Sequence, residues 1–135
     1  MPGASLDVAV VGAGVVGLAI ARELTGRGAR VAVFERTGIA SGASGVQPGG
    51  VRRQWGTPIA CRLAVESADF YAAADEHLQP GVPLGFMRCG YLFLAHGEET
   101  LARLTANVGV QHEAGVPSRI VTASEAASRP SAGSL

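Results

Sequence analysis

The chain alternates between short valine-rich runs and stretches whose apolar residues recur every three or four positions. Leu6-Asp7-Val8-Ala9-Val10-Val11 has the pattern of a parallel strand covered on both faces. From Val15 the period changes, with Val16, Ala19, Ile20, Glu23 and Leu24 marking a helix that has one packing face and ends near Gly26 and Gly28. A second strand follows in Ala29-Arg30-Val31-Ala32-Val33-Phe34, and Glu35 closes it. The result is a β-α-β array.

Residues 37–56 carry no helical or alternating pattern but hold Gly38, Gly42, Gly45, Gly49, Gly50 and Gly56, with Ser41 and Ser44. A structureless stretch of this length in a compact domain usually has a functional reason. Beyond it, Thr57-Pro58 reads as an N-cap and a first helical proline. The helix runs through Ile59, Leu63, Phe70, Ala74 and Leu78 and stops before Pro80-Gly81. Gly85 to Arg88 and Tyr91 to Ala95 are strand candidates around Cys89-Gly90, which suggests a hairpin. Glu98 to Glu113 predicts a helix with Leu101, Leu104, Val108 and His112 on one side, ended by Gly115. Arg119 to Val121 is a possible short strand, and Thr122-Ala123-Ser124-Glu125 forms a capping box opening a last helix before Pro130.

Composition narrows the function. Of 135 residues, 47% are hydrophobic and 16% charged, a globular rather than disordered profile. Eleven basic residues balance eleven acidic ones, so no overall field draws the chain to nucleic acid or to an anionic membrane. Every basic residue is arginine; without lysine there is neither a P-loop lysine nor a Schiff base. Cys61 and Cys89 form no C-x-x-C pair, and His77, His96 and His112 lack ligand spacing, so metal and disulfide frameworks are not expected. The uncharged apolar run Val8 to Ala21 is too short to span a bilayer. Asp7 stands where a signal peptide carries positive charge, so a cytoplasmic protein without a transmembrane segment is expected.

The chemistry lies in the first array. Gly12-Ala13-Gly14-Val15-Val16-Gly17 is a G-x-G-x-x-G between strand and helix. Gly12 permits the tight turn out of the strand (Val11), Gly14 lets a pyrophosphate approach the backbone, and Gly17 lets the helix lie close to the sheet. The helix N-terminus at Val15 and Val16 offers N–H groups and partial positive charge to phosphates. Glu35 is placed to accept hydrogen bonds from the adenosine ribose, and its carboxylate repels a 2′-phosphate, which disfavours NADP. This unit alone does not choose between FAD and NAD.

Val8 to Arg36, followed by Ser41-Gly42-Ala43-Ser44 and Pro48-Gly49-Gly50-Val51-Arg52, resembles the FAD-dependent amine and amino-acid oxidoreductases of the D-amino-acid oxidase type. The resemblance is nearest to their sarcosine oxidase β-subunit and glycine oxidase branch and covers nearly the whole chain. It implies an α/β, Rossmann-like FAD-binding domain with a parallel sheet over residues 1–80 and the start of an α+β substrate domain over 81–135, so the chain looks like the N-terminal part of a longer enzyme. It further implies that Arg36 lies along the adenosine, that Ser41, Ala43 and Ser44 serve the pyrophosphate and ribityl chain, and that Pro48, Gly49 and Gly50 run beside the isoalloxazine. No histidine occurs between residues 1 and 76, so the FAD is expected to be held non-covalently.

Arg52 is a candidate for a substrate carboxylate or the flavin pyrimidine; alternatively Arg52 and Arg53 are solvated or paired with Glu66 and Asp69. Trp55 is either a pocket wall or a packing residue, and Arg88 and Tyr91 are either substrate-domain wall or ordinary surface and core. Cys61 is expected to be a small buried side chain, and His77 a partner of a helix C-terminus. No general base is identifiable. The expected activity is oxidation of an amine or amino-acid C–N bond to an imine by hydride transfer to FAD. The alternatives are an NAD-dependent dehydrogenase domain, which predicts a second regular β-α unit soon after Glu35, and a catalytically silent fragment of the FAD fold.

Overall fold

The computed structural model of the protein describes residues 5–128; Pro130 lies outside them. Its contacts separate two compact units, Met1–Gly50 and Val51–Leu135.

In the first unit the valine runs become β1 (Val8–Val11) and β2 (Val31–Phe34), paired in parallel with Val8 opposite Val31 and Val11 opposite Phe34. Between them runs α1 (Val15–Gly26), packed on both strands. Asp7 fixes the register from below, because its carboxylate accepts the Arg30 amide at 2.9 Å and the Arg30 guanidinium at 3.0 and 2.7 Å. At the other end the ladder continues one step past β1, with Gly12 N–H donating to the Phe34 carbonyl at 2.8 Å. Gly28, at φ +88°, closes α1: its N–H reaches Thr25 O at 2.9 Å, and that of Ala29 reaches Leu24 O at 3.0 Å. This pair of bonds, the Schellman arrangement, satisfies carbonyls that a helix end otherwise leaves open.

The glycine-rich loop is more ordered than its sequence suggests. It contains one turn of helix, α2 (Ala43–Val46), which the absence of any periodic pattern had concealed. A side chain on Gly45 would put its Cβ 2.3 Å from the Ala40 carbonyl, so this turn closes only with glycine there.

In the second unit the expected single helix is two: α3 (Pro58–Ala72) and α4 (Ala74–Leu78). The break comes at Ala73, whose N–H is shared between the carbonyls of Asp69 and Phe70, tightening the last turn of α3. Pro58 opens α3 as expected, but the Thr57 hydroxyl caps nothing. α5 (Glu98–Glu113) packs against α3. It ends at Gly115, φ +77°, through Gly115 N–H to His112 O and Val116 N–H to Gln111 O, which buries Val116. α6 (Ala123–Ala127) is opened by Thr122, whose hydroxyl accepts the Glu125 N–H at 3.2 Å. The Glu125 carboxylate does not return to the cap; it pairs with Arg119.

The face of α5 is rotated from the expected one. Gln111 is buried at 6% exposure, while Leu101 and His112 are exposed. The Gln111 amide donates to the Trp55 carbonyl at 3.1 Å, which compensates the cost of burying it. His112 instead meets the Ser118 carbonyl through its ring.

The anticipated hairpin at 85–95 and strand at 119–121 are not formed among the described residues; neither segment belongs to a sheet. A ladder needs a neighbour, and here the apolar side chains Leu84, Phe86, Tyr91 and Leu92 stay exposed. The segment is held by Leu84 N–H to the Asp75 carboxylate at 2.7 Å, by stacking of Phe86 on Tyr71 and by the Arg52 guanidinium over the Phe93 ring. The same shortage of partners holds throughout. Val11, in a strand, is 87% exposed.

Candidate functional site: the glycine turn and its acid

The site of the first unit is the point where β1 turns into α1. Gly12 adopts φ +102°, a conformation side chains disfavour. A Cβ on Gly17 would lie 2.0 Å from the Gly12 carbonyl oxygen, so the start of the helix approaches the turn as closely as backbone allows. A Cβ on Gly14 would lie 3.0 Å from the Ser44 hydroxyl. Gly12 and Gly17 thus hold the tight turn and the close approach that their spacing implied.

Around this turn the loop after β2 is laced to the backbone. The Glu35 carboxylate accepts the Ala13 N–H at 2.9 Å on one oxygen, and the Thr37 N–H at 2.9 Å and Thr37 hydroxyl at 3.2 Å on the other. The Ala13 N–H, foremost among these donors, stabilises the anion and holds the carboxyl well below its ordinary 4.5, at about 2. Thr37 and Ser41 share a hydroxyl–hydroxyl bond of 2.6 Å, and Ala40 N–H donates to the Ala13 carbonyl at 2.9 Å. Ser44 completes the ring, its hydroxyl accepting the Val15 N–H at 2.9 Å.

The first turn of α1 has no acidic residue. The N–H groups of Val16 and Gly17 find no acceptor among the described residues. An unclaimed pair of amides at the positive end of a helix, fronted by a residue without a side chain, suits a phosphate. The fixed acid at the end of β2 completes a dinucleotide-binding β-α-β unit.

Of the residues singled out in the sequence, the structure brings Gly12, Gly14, Val15 and Gly17 together with Glu35, Ser41 and Ser44. Ala43 opens α2 beside them. Val11 and Val16 flank the turn with exposed side chains. Arg36, Pro48, Gly49 and Gly50 are exposed and make no hydrogen bond to the turn among the described residues. Arg52 belongs to the second unit. It does not pair with Glu66 or Asp69; its guanidinium lies 4.1 Å from the centre of the Trp55 ring. Sequence reasoning missed the Ala13 amide and Thr37. Backbone donors leave no mark in a sequence, and the only signal for Thr37 is a hydroxyl residue two positions after the acid.

Cys61 is fully buried, as expected, and donates to the Trp55 carbonyl. His77 sits in the last turn of α4 and stacks on Phe70. No group of residues suited to a metal ion occurs among the described residues, and no helix there is long and apolar enough to cross a membrane.

The fold and turn define a nucleotide-binding α/β protein, and comparison makes that class specific. The family described as FAD dependent oxidoreductase (DAO) matches residues 7–134, and the chain belongs to it. It is 36% identical over 126 residues to a glycine oxidase of Geobacillus kaustophilus (strain HTA426), covering 89% of this chain and 33% of that protein. It is 34% identical over 127 residues to the FAD-dependent oxidoreductase domain-containing protein 1 homolog of Drosophila melanogaster, covering 91% of this chain and 24% of that one. Among solved structures, the L-proline dehydrogenase from P. horikoshii superposes with a TM-score of 0.82 at 31% identity, over 90% of this chain and 32% of that one. The chain therefore spans about a quarter to a third of the length of these relatives. The cofactor of the family is FAD, which sets aside the NAD alternative.

Proposed function

We propose that this chain supplies the FAD-binding end of an enzyme that oxidises the C–N bond of a small amine or amino acid of the sarcosine, glycine or D-amino-acid kind to an imine. The observation that carries the reading is the convergence at α1: two unclaimed amides, a side-chain-free Gly14, and the Ser44 hydroxyl at the adjacent Val15 amide. FAD held there would supply the acceptor for the hydride equivalent on the carbon beside the nitrogen.

The residues present do the holding. In this proposal the Val16 and Gly17 amides and the Ser41 and Ser44 hydroxyls meet the diphosphate, Glu35 takes the ribose hydroxyls on its remaining lone pairs, and Arg36 lies along the adenosine. Ala43, Pro48, Gly49 and Gly50 follow the flavin end, held without a covalent bond. In this proposal residues 1–80 serve the cofactor and 81–135 begin the substrate domain, while the compact units themselves divide after Gly50. Arg52 is offered to a substrate carboxylate.

The test is the purified chain itself, examined for a flavin absorbance band and titrated with FAD by fluorescence. FAD binding that Gly14→Val abolishes, with the circular dichroism unchanged, bears the reading out. Undiminished FAD affinity in Gly14→Val refutes the assigned turn. A folded chain that takes up no FAD favours the silent-fragment alternative, for which the large uncovered apolar surface speaks.

A further inference from the structure

The glycines of the turn answer to different demands. Gly12 needs its positive φ, and a Cβ on Gly17 would strike the Gly12 carbonyl. Gly14 meets neither demand. Its backbone, at φ −82° and ψ 177°, is extended chain that any residue adopts. Among the described residues, a Cβ built on it would find one atom within 4 Å, the Ser44 hydroxyl oxygen at 3.0 Å. The Ser44 Cβ lies beyond that range, so the conflict is with the oxygen alone.

That oxygen is not free to step aside. It accepts the Val15 N–H at 2.9 Å, so a rotation that cleared Gly14 would break the bond and leave the amide without an acceptor. The main chain beneath it is held as well. Gly45, next in sequence, would place a Cβ 2.3 Å from the Ala40 carbonyl, and Ala40, at φ +57°, donates its N–H to the Ala13 carbonyl at 2.9 Å. The loop is thus seated on the turn on both sides of Gly14, at Ala13 and at Val15. A hydroxyl that accepts one N–H still has its own O–H to give. No acceptor takes that of Ser44 among the described residues.

We infer that Gly14 is kept free of a side chain by the Ser44 hydroxyl, and that the pair forms one device. Gly14 supplies the seat, the Val15 amide fixes the hydroxyl in it, and the remaining O–H is the donor offered to the diphosphate. Gly14 is then the positioning residue of Ser44. The last step rests on the FAD reading; the seat does not.

The test is a double-mutant cycle on the FAD-free chain with Gly14→Ala, Ser44→Ala and the two together, followed by urea midpoint and by hydrogen exchange of the Val15 amide. Gly14→Ala alone is expected to lower the midpoint and to speed that exchange by about tenfold, because the added methyl unseats the hydroxyl. In the Ser44→Ala background the same change is expected to move neither further. If Gly14→Ala does not fold, a folded double variant bears the inference out, and an unfolded one beside a folded Ser44→Ala overturns it. Additive losses, or a Val15 amide that exchanges in Gly14→Ala as in the unaltered chain, overturn it whether or not FAD binds. The donor role is measured by fluorescence titration with FAD: Ser44→Ala weakens binding by about tenfold, and Ser44→Thr, which restores the hydroxyl, recovers it. Undiminished affinity in Ser44→Ala overturns the donor role. A folded chain that shows the coupling yet takes up no FAD bears out the seat and refutes the FAD reading.

Discussion

The carboxylate of Glu35 accepts the main-chain N–H of Ala13 at 2.9 Å, across 22 positions of sequence. The end of β2 is thereby fastened to the middle of the glycine turn, and the acid expected to meet a ribose also holds the turn that is to meet a diphosphate. Structure and the proposed binding share one side chain.

That sharing has a pH signature. The folded-state value of Glu35, about 2, lies below its ordinary 4.5. The stabilisation is therefore complete above about pH 4.5 and is lost as the pH falls toward 2. Urea midpoints measured between neutral pH and about pH 2 are expected to fall less steeply for Glu35→Gln than for the unaltered chain. Parallel curves would show that the bond to Ala13 contributes nothing.

Two glycines of α1 predict opposite outcomes. Gly17→Ala drives a methyl group into the Gly12 carbonyl and is expected to destabilise the first unit by about 1–3 kcal/mol. At Gly26 a Cβ meets nothing within 4 Å and φ is not positive, so Gly26→Ala is expected to stabilise by roughly 0.5–1 kcal/mol. Denaturant titration of both variants, with the signs compared, checks the close approach directly.

Ser44 stands in for a local helix cap. Ser44→Ala removes the acceptor of the Val15 N–H and should cost about 1 kcal/mol of stability, the usual scale for a lost cap. FAD affinity should fall with it, because the same hydroxyl is assigned to the diphosphate. A fluorescence titration separates the two effects: a stability loss with unaltered affinity confines Ser44 to capping.

Gln111 is the corresponding anchor of the second unit. Gln111→Leu removes the donor to the Trp55 carbonyl, which then keeps only the weak Cys61 thiol, and should destabilise by about 1–3 kcal/mol. Cys61, fully buried against that carbonyl, should then become reactive toward a thiol reagent that otherwise labels only Cys89.

Much of this protein was legible in its residues. The valine runs, the change of period at Val15, the three glycines and the closing Glu35 determined a β-α-β nucleotide unit, because strand pairing, helix packing and tight turns are local demands met by local residue types. Gly28 and Gly115 likewise announced the two helix ends they form. What only the tertiary structure decided rests on partners distant in the chain. The Ala13 amide on Glu35 and the Val15 amide on Ser44 are backbone donors with no identity in sequence. Gln111 took the buried face of α5 from His112 because the Trp55 carbonyl lay within reach. The segments at 85–95 and 119–121 carry strand-like residues yet form no sheet, since a strand is completed by the neighbour it bonds and none of the described residues provides one.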